Sequence, residues 1–169
     1  NLTSPTNNSS TIMSSGGNLT ISATNTGGNA SYNLKANGSS INTATTTSYT
    51  FNHTNITTNT SYELEITLGA TTITRRFSAI VSPTVISQAI PFGLENGINY
   101  NTSDNTKAIL VLDAPGKDFV YVAGSFNNWN PDGNYSMKKD PSNGKFWLEL
   151  TGLTAGVNYS YQYWVVDQT

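Results

Sequence analysis

The chain has 169 residues, with 8 Lys and Arg against 10 Asp and Glu, a formal net charge of −2 at pH 7 and no cysteine. A complete (β/α)₈ barrel needs about 250 residues, a nucleic-acid binder carries a basic stripe, and disulfide scaffolds need cysteine. These classes are therefore excluded. The only histidine, His53, is too little for a histidine-ligated metal cluster, and we expect neither a metal nor a cofactor.

The polar residues of this chain are mostly uncharged. Charged residues make up 11% of the sequence, less than half of the ~25% typical of globular domains, and Asn, Thr and Ser take their place. Thr fits a pleated sheet and Asn suits turns, whereas Asn, Ser and Thr side chains compete for the backbone in helices. The composition therefore predicts an all-β protein. No apolar run approaches roughly 18 residues, so we expect no membrane span.

The first half of the chain has the pattern of one small β-domain. Residues 1–17 are nearly all Asn, Ser, Thr and Gly, which predicts a flexible leader or a loosely held first strand. Residues 18–83 consist of short alternating segments, of which residues 62–68 are the clearest, and Asn37-Gly38 is typical of a hairpin turn. Alternation with turns about every 8–12 residues predicts an immunoglobulin-like β-sandwich.

The second half repeats the strand pattern after a break. Ser82-Pro83 ends the first domain, because proline cannot continue a strand ladder. Residues 84–105 are predicted to be a linker whose apolar residues pack against one or both domains. Residues 106–169 contain further alternating segments and all three tryptophans. The fold class predicted from the whole chain is two tandem β-sandwich domains.

One run in this half carries a specific resemblance. The sequence Phe119-Val-Tyr-Val-Ala-Gly-Ser-Phe-Asn-Asn-Trp129 resembles the signature of family 48 carbohydrate-binding modules, which are early-set β-sandwiches associated with starch and glycogen. Three later runs, residues 144–147, 153–156 and 161–167, follow the family pattern in order and spacing. Residues 90–100 and 114–118 are similar to α-amylase-family (glycoside hydrolase 13) proteins of Bacteroidota, upstream of the catalytic barrel. The first domain resembles the Ig-like module that often precedes this one.

The resemblance implies a carbohydrate-binding surface in the second domain. Trp129 occupies the position of the family's sugar-stacking tryptophan, although it is equally consistent with an indole that caps the end of the sandwich. Gln162 replaces a lysine that hydrogen-bonds sugar hydroxyls, and Trp164 shares its face by alternation, either extending the platform or packing against a neighbouring module. Asn128 and Tyr135 complete the predicted site. Sugar rings stack on aromatic planes while amides meet their hydroxyls.

Two functions fit the sequence. The first is the non-catalytic N-terminal region of a secreted α-amylase-like glycoside hydrolase, which binds or orients an α-glucan and is followed by a catalytic barrel. The alternative is a ligand-free structural spacer or cell-surface adhesion module. Catalysis within these residues is not expected, because a glycosidase needs two carboxylates about 5–9.5 Å apart and the acids here are scattered. Asn127, Asp132 and Asp140 form a weak calcium-binding pattern. Because acids are common in loops, we expect these residues to serve turns rather than to bind calcium.

The resemblance also makes predictions about the ends of the second domain and its location. The family continues with at least one more strand beyond Thr169, so we expect the second sandwich to be incomplete at its C-terminal end. We expect an extracellular or cell-surface bacterial protein. Its expected partner is an α-glucan polysaccharide or oligosaccharide, and we expect no nucleic-acid partner.

Overall fold

The computed structural model describes residues 1–167 and divides the chain into two compact units, Asn1–Ser82 and a second that begins at Pro83. All regular structure in the described residues is β-strand, apart from two short 3₁₀ turns at Ser125–Asn127 and Gly133–Tyr135. The all-β prediction is confirmed. None of the secondary-structure elements in residues 1–167 is a helix long and apolar enough to span a membrane.

The first unit is a sandwich of two sheets. Its strands are β1 (Leu2–Ser4), β2 (Ser10–Met13), β3 (Gly17–Thr24), β4 (Ala30–Ala36), β5 (Ser39–Thr46), β6 (Ser48–Ile56), β7 (Thr60–Leu68) and β8 (Thr71–Val81). One sheet has the order β1-β3-β6 and the other β2-β8-β7-β4-β5. All pairs are antiparallel except β2 with β8, which run parallel.

Aromatic contacts join the two sheets of the first unit. Tyr32 on β4 stacks on Tyr49 of β6 with ring centroids 4.9 Å apart and planes 15° apart. The Tyr62 hydroxyl on β7 lies 2.6 Å from Nδ1 of His53 on β6. The three tyrosine rings are buried because alternation along each strand turns every second residue inward. His53 therefore has a structural role in this unit.

The predicted flexible leader differs from what the structure shows. Within residues 1–17, β1 pairs with β3 and β2 pairs with β8, while Leu2 and Met13 pack against the core. The polar composition is compatible with these strands because each lies at a sheet edge. There, ladder hydrogen bonds supply much of the attachment and few apolar side chains are needed.

The second unit is a smaller sandwich. Its strands are β9 (Gly97–Tyr100), β10 (Ala108–Leu112), β11 (Phe119–Gly124), β12 (Lys138–Lys139), β13 (Phe146–Leu150) and β14 (Tyr161–Val166). One sheet has the order β12-β13-β10-β9, and the other is the antiparallel pair β11-β14. The inner faces of both sheets meet in a core of seven buried side chains: Leu110, Val120, Val122, Met137, Phe146, Leu148 and Leu150.

The predicted linker is largely part of the second unit. The backbone of Lys139 accepts a hydrogen bond from Gln88 and donates one to Ile86, and the peptide nitrogen of Ile90 donates to the Asp140 carboxylate at 2.8 Å. Residues 97–100 then form β9. The segment is attached through backbone hydrogen bonds. Because every residue carries the same backbone groups, a hydrophobic pattern does not predict this attachment. Gln168 and Thr169, at the end of the predicted second domain, lie outside the described residues.

Candidate functional site

The loop that follows β11 is built around one asparagine side chain. Asn127 Oδ1 accepts a hydrogen bond from the peptide nitrogen of Gly124 at 2.8 Å, and its Nδ2 donates to the carbonyl oxygen of Val122, also at 2.8 Å. A short amide side chain suits this task because it can imitate both halves of a backbone group. The loop is thus closed onto the end of its own strand. This role was not predicted from the sequence, although asparagine is a residue typical of turns.

Trp129 sits in this loop in an unfavourable backbone conformation. Asn128 and Trp129 both have left-handed backbone angles, with φ of 53° and 59°, a region that bulky residues rarely occupy. The peptide nitrogen of Trp129 donates to the carbonyl oxygen of Gly124 at 2.9 Å and holds it there. The Trp129 side chain is 44% exposed, and Asn128 beside it is also exposed. The indole is therefore partly exposed, which fits both a stacking platform and a cap on the end of the sandwich.

Gly124 is required at the base of the loop by close packing. A Cβ atom there would lie 2.7 Å from Cε1 of Phe126 and 2.7 Å from the carbonyl oxygen of Ser160, closer than real Cβ contacts allow. Phe126 is partly buried against the core and stacks on Tyr135 with centroids 5.5 Å apart and planes 25° apart. One face of the predicted site residue Tyr135 is thereby covered, and its ring belongs to the packing beneath the loop.

Gln162 and Trp164 lie on the outward face of β14. The register pairs Ala123 with Gln162 and Tyr121 with Trp164, and the neighbouring Tyr161 and Tyr163 point to the core. Gln162 is exposed, whereas Trp164 is only half-exposed. Because the backbone of Trp129 is bonded to Gly124, one residue beyond Ala123, it lies at the same end of this sheet as Gln162. Trp164 shares the face of Gln162 two residues further along β14, and the paired β11 residues on that face are buried.

The third tryptophan, Trp147, has a structural role. Trp147 is buried on β13, its Nε1 donates to the carbonyl oxygen of Gln88 at 2.9 Å, and Lys138 Nζ lies 4.4 Å from the centre of its ring. The ring is therefore occupied on its edge and on one face. It fastens the segment around Gln88 to the sheet.

The two aspartates of the weak calcium pattern, Asp132 and Asp140, serve turns and local backbone attachment. Asp132 accepts from the peptide nitrogen of Asn134 at 2.8 Å. Asp140 is buried and accepts from the backbone of Ile90 and Ser142. Among residues 1–167, no group of three or more His, Cys, Asp and Glu side chains is arranged to hold a metal ion. Turn chemistry therefore accounts for the two aspartates that suggested calcium.

The acids that share a face on β7 are also engaged. Glu65 binds Lys35 with Nζ to Oε1 at 2.6 Å, and Glu63 lies 3.3 Å from Nε of Arg76. The hydrogen bond from Lys35, reinforced by one from Asn33, lowers the pKa of the Glu65 carboxyl. A carboxylate held charged by a lysine does not supply the protonated acid that glycoside cleavage needs. This small all-β chain shows no catalytic arrangement in the residues described.

Comparison with known proteins gives a distant structural likeness. No family model and no curated protein matches the chain. The fibronectin(III)-like modules of Clostridium thermocellum CbhA are similar over 99% of this chain and 85% of theirs, at 15% identity and a TM-score of 0.40.

Two Bacteroides uniformis enzymes are similar at a lower level. Apo β-glucuronidase 3 matches 93% of this chain at 12% identity and a TM-score of 0.34. β-Glucuronidase 2, covalently bound to cyclophellitol-6-carboxylate aziridine, matches 100% of it at 11% identity and a TM-score of 0.33. This chain spans only 23% and 28% of those two enzymes. The likenesses concern β-sandwich architecture and carry no inference about activity.

Proposed function

We propose that the second unit is a non-catalytic carbohydrate-binding module that holds an α-glucan against the exposed part of β14 around Gln162 and the loop that follows β11. Trp129 is the stacking platform, and the amides of Asn128 and Gln162 meet sugar hydroxyls. From the motif resemblance we further propose that this chain is the N-terminal region of a secreted, extracellular α-amylase-like glycoside hydrolase of family 13, with the catalytic barrel outside these residues.

The observation that carries the proposal is the state of Trp129. Trp129 is 44% exposed on a backbone with φ of 59°, and this left-handed conformation costs roughly 1–2 kcal/mol. Strained residues that the surrounding structure maintains cluster at functional sites. Here Gly124 and Asn127 maintain the strain and keep the indole available to a ligand.

The neighbouring groups supply polarity without charge. Asn128 and Gln162 are exposed amides, and each provides both donors and an acceptor. The hydroxyls of a neutral glucan need hydrogen-bond partners of this kind. A charged side chain at the site would not add attraction for a neutral ligand. The half-exposed Trp164 lies two residues from Gln162, about 6.8 Å along the strand, so it is positioned to extend the contact surface.

The ligand-free spacer remains the alternative function, because stacking on one indole does not offset the cost of association. Stacking on one indole that loses roughly 60–80 Å² contributes about 1.5–2 kcal/mol at ~25 cal/mol/Å². Association costs at least about 4 kcal/mol. Trp129 alone is therefore insufficient, and Trp164 is only half-exposed. If the amides and Trp164 do not contribute, the unit is a connector.

The test compares glucan binding by the native chain and variants. Affinity electrophoresis in glycogen and calorimetry with maltoheptaose are performed on the native chain, Trp129→Ala, Trp129→Gly and the control Phe92→Ala. Phe92 is fully exposed on another loop of the same unit. We expect both Trp129 variants to lose binding by about tenfold or more and the control to retain it.

Other outcomes separate the alternatives. If the native chain does not bind glycogen or maltoheptaose, the spacer function replaces the proposal. If the control loses binding as strongly as Trp129→Gly, the effect does not come from stacking on this indole, and the proposed site is wrong. Release of reducing ends from starch by the native chain would contradict the non-catalytic assignment.

A further inference from the structure

A second concave surface lies elsewhere on the second unit. It is a groove with a cavity volume of about 540 Å³, lined by β9, the start of β10 and the segment from Leu153 to Tyr161. Binding pockets for small ligands occupy about 300–1,000 Å³. Neither Trp129 nor Gln162 is among its lining residues. Because Tyr161 lines it while Gln162 points to the opposite face of β14, the groove is separate from the glucan site proposed above.

The floor of the groove is apolar and belongs to the core. Leu110 and Leu150 are buried core residues that also line the cavity. Ile98 on β9 is exposed beside them, and Tyr100 is 78% exposed. An exposed tyrosine ring next to a solvent-accessible part of the core offers a flat apolar surface with a polar tip. This surface is matched by a ligand that has an apolar face of similar size.

The far wall is held in place by hydrogen bonds. The Tyr159 hydroxyl accepts a hydrogen bond from the peptide nitrogen of Thr154 at 2.9 Å. The peptide nitrogen of Leu153 donates to the carbonyl oxygen of Thr106 at 2.9 Å. Phe126 packs near Tyr159 with ring centroids 6.3 Å apart. A wall fixed in this way loses less conformational entropy when a ligand binds.

The rim is polar and electrically balanced. Asn105 and Asn158 line the groove, are exposed, and form no side-chain hydrogen bond within residues 1–167. Lys107 is the charged lining residue, and its Nζ lies 3.5 Å from the Asp104 carboxylate. The charge of the lysine is therefore matched by its neighbour. The groove offers aromatic planes and free amides, which favour a neutral ligand over an anionic one.

We propose that this groove binds a neutral oligosaccharide, with a sugar ring stacked on Tyr100 and hydroxyls bonded to Asn105 and Asn158. A polyhydroxylated ring with C–H faces combines the apolar face and the hydrogen-bonding groups that these residues accommodate. The inference does not depend on the function proposed for the Trp129 face, because the two sets of residues are distinct.

The test maps binding residue by residue in the intact chain. Backbone amide NMR spectra are recorded with maltoheptaose, cellohexaose and xylohexaose, because the groove chemistry does not select a linkage. We expect at least one sugar to shift the signals of Tyr100, Asn158 and Tyr159. We expect Tyr100→Ala to weaken that binding about tenfold, since a stacked ring contributes roughly this factor, and Phe92→Ala to leave it unchanged.

The two proposals fail in different ways. Shifts at the groove that persist in Trp129→Gly support the second site even where the first proposal fails. NMR signal shifts confined to residues 127–130 and Gln162 would leave the first proposal standing and overturn the groove. The groove proposal is also overturned if none of the three sugars shifts Tyr100 or Asn158, or if an alternating apolar peptide binds there while the sugars do not.

Discussion

The peptide nitrogen of Trp129 donates to the carbonyl oxygen of Gly124 at 2.9 Å, and this bond returns the chain to the strand that it has just left. Between the two residues, the Asn127 side chain bonds both Gly124 and Val122. The loop is therefore closed at its base while its tip carries an exposed indole. An arrangement of this kind has consequences for stability that are independent of any ligand.

Two substitutions at Trp129 measure the free-energy cost of its backbone conformation, because both remove the indole ring and only glycine relieves the positive φ. We expect Trp129→Gly to be more stable than Trp129→Ala by about 1 kcal/mol, because glycine adopts a positive φ without steric penalty. The measurement is urea denaturation followed by far-UV circular dichroism. Equal stability of the two variants would contradict the strain at φ of 59°.

Removing the Asn127 side chain should loosen the loop. Asn127→Ala leaves the Gly124 nitrogen and the Val122 carbonyl without their partner. We expect a loss of about 1–3 kcal/mol from the free energy of unfolding of the second unit, as for other unsatisfied buried groups. Asn130→Ala is the matched control, because Asn130 is an exposed asparagine of the same loop. A similar loss in both variants would show that the two amide bonds are not what holds the loop.

Much of the fold was predictable because alternation reports burial directly. Tyr62, Leu64 and Ile66 on β7 were expected on one face and are buried there. The same logic placed Gln162 and Trp164 together on β14. A strand has only two faces, so a period of two is enough to assign each side chain to one of them.

Features that depend on backbone bonds were not predictable in the same way. The attachment of Ile86, Gln88 and Ile90 to the edge beside β12 uses peptide groups, which every residue carries. The left-handed backbone at Trp129 was not indicated either, because tryptophan is among the last residues expected there. The groove beside Tyr100 is formed by segments distant in sequence, so no local pattern revealed it.

Alkaline pH should destabilise both units, because burial raises the pKa of Tyr49 and Tyr62 in the first unit and that of Tyr163 in the second. Burial raises the pKa of Tyr49 to about 12 and that of Tyr62 to about 12, from 10.0. In the unfolded chain these hydroxyls ionise near pH 10, so the folded state binds more protons above that pH. The stability they provide is complete below pH 10 and is lost as the pH rises toward about 12.

The measurement uses the uneven distribution of tryptophan. All three tryptophans lie in the second unit, so their fluorescence follows that unit, while far-UV circular dichroism reports both. We expect the first unit to lose stability from about pH 10 upward, and Tyr49→Phe to reduce the slope. A slope that is the same in Tyr49→Phe and in the native chain would contradict a contribution from this hydroxyl.

Protonation of Asp140 in acid should weaken the attachment of the segment around Ile90, which precedes β9. The hydrogen bond from the peptide nitrogen of Ile90, followed by those from Ser142, holds the pKa of the Asp140 carboxyl below its usual 3.8. A lowered pKa means that the contribution to stability is complete above pH 3.8 and is lost as the pH falls through the folded-state value. We expect Asp140→Asn to be less stable at neutral pH, with a difference from the native chain that shrinks in acid.

Tryptophan fluorescence reports this transition because Trp147 is bonded to Gln88 in the same segment. Asp113→Asn is the control, since Asp113 is exposed and its carboxylate has no hydrogen bond or ion pair within residues 1–167. Urea denaturation from about pH 7 down to about pH 2 should show convergence of Asp140→Asn with the native chain. Parallel curves would mean that the neutral amide replaces the carboxylate fully, so that the charge of Asp140 does not stabilise the attachment.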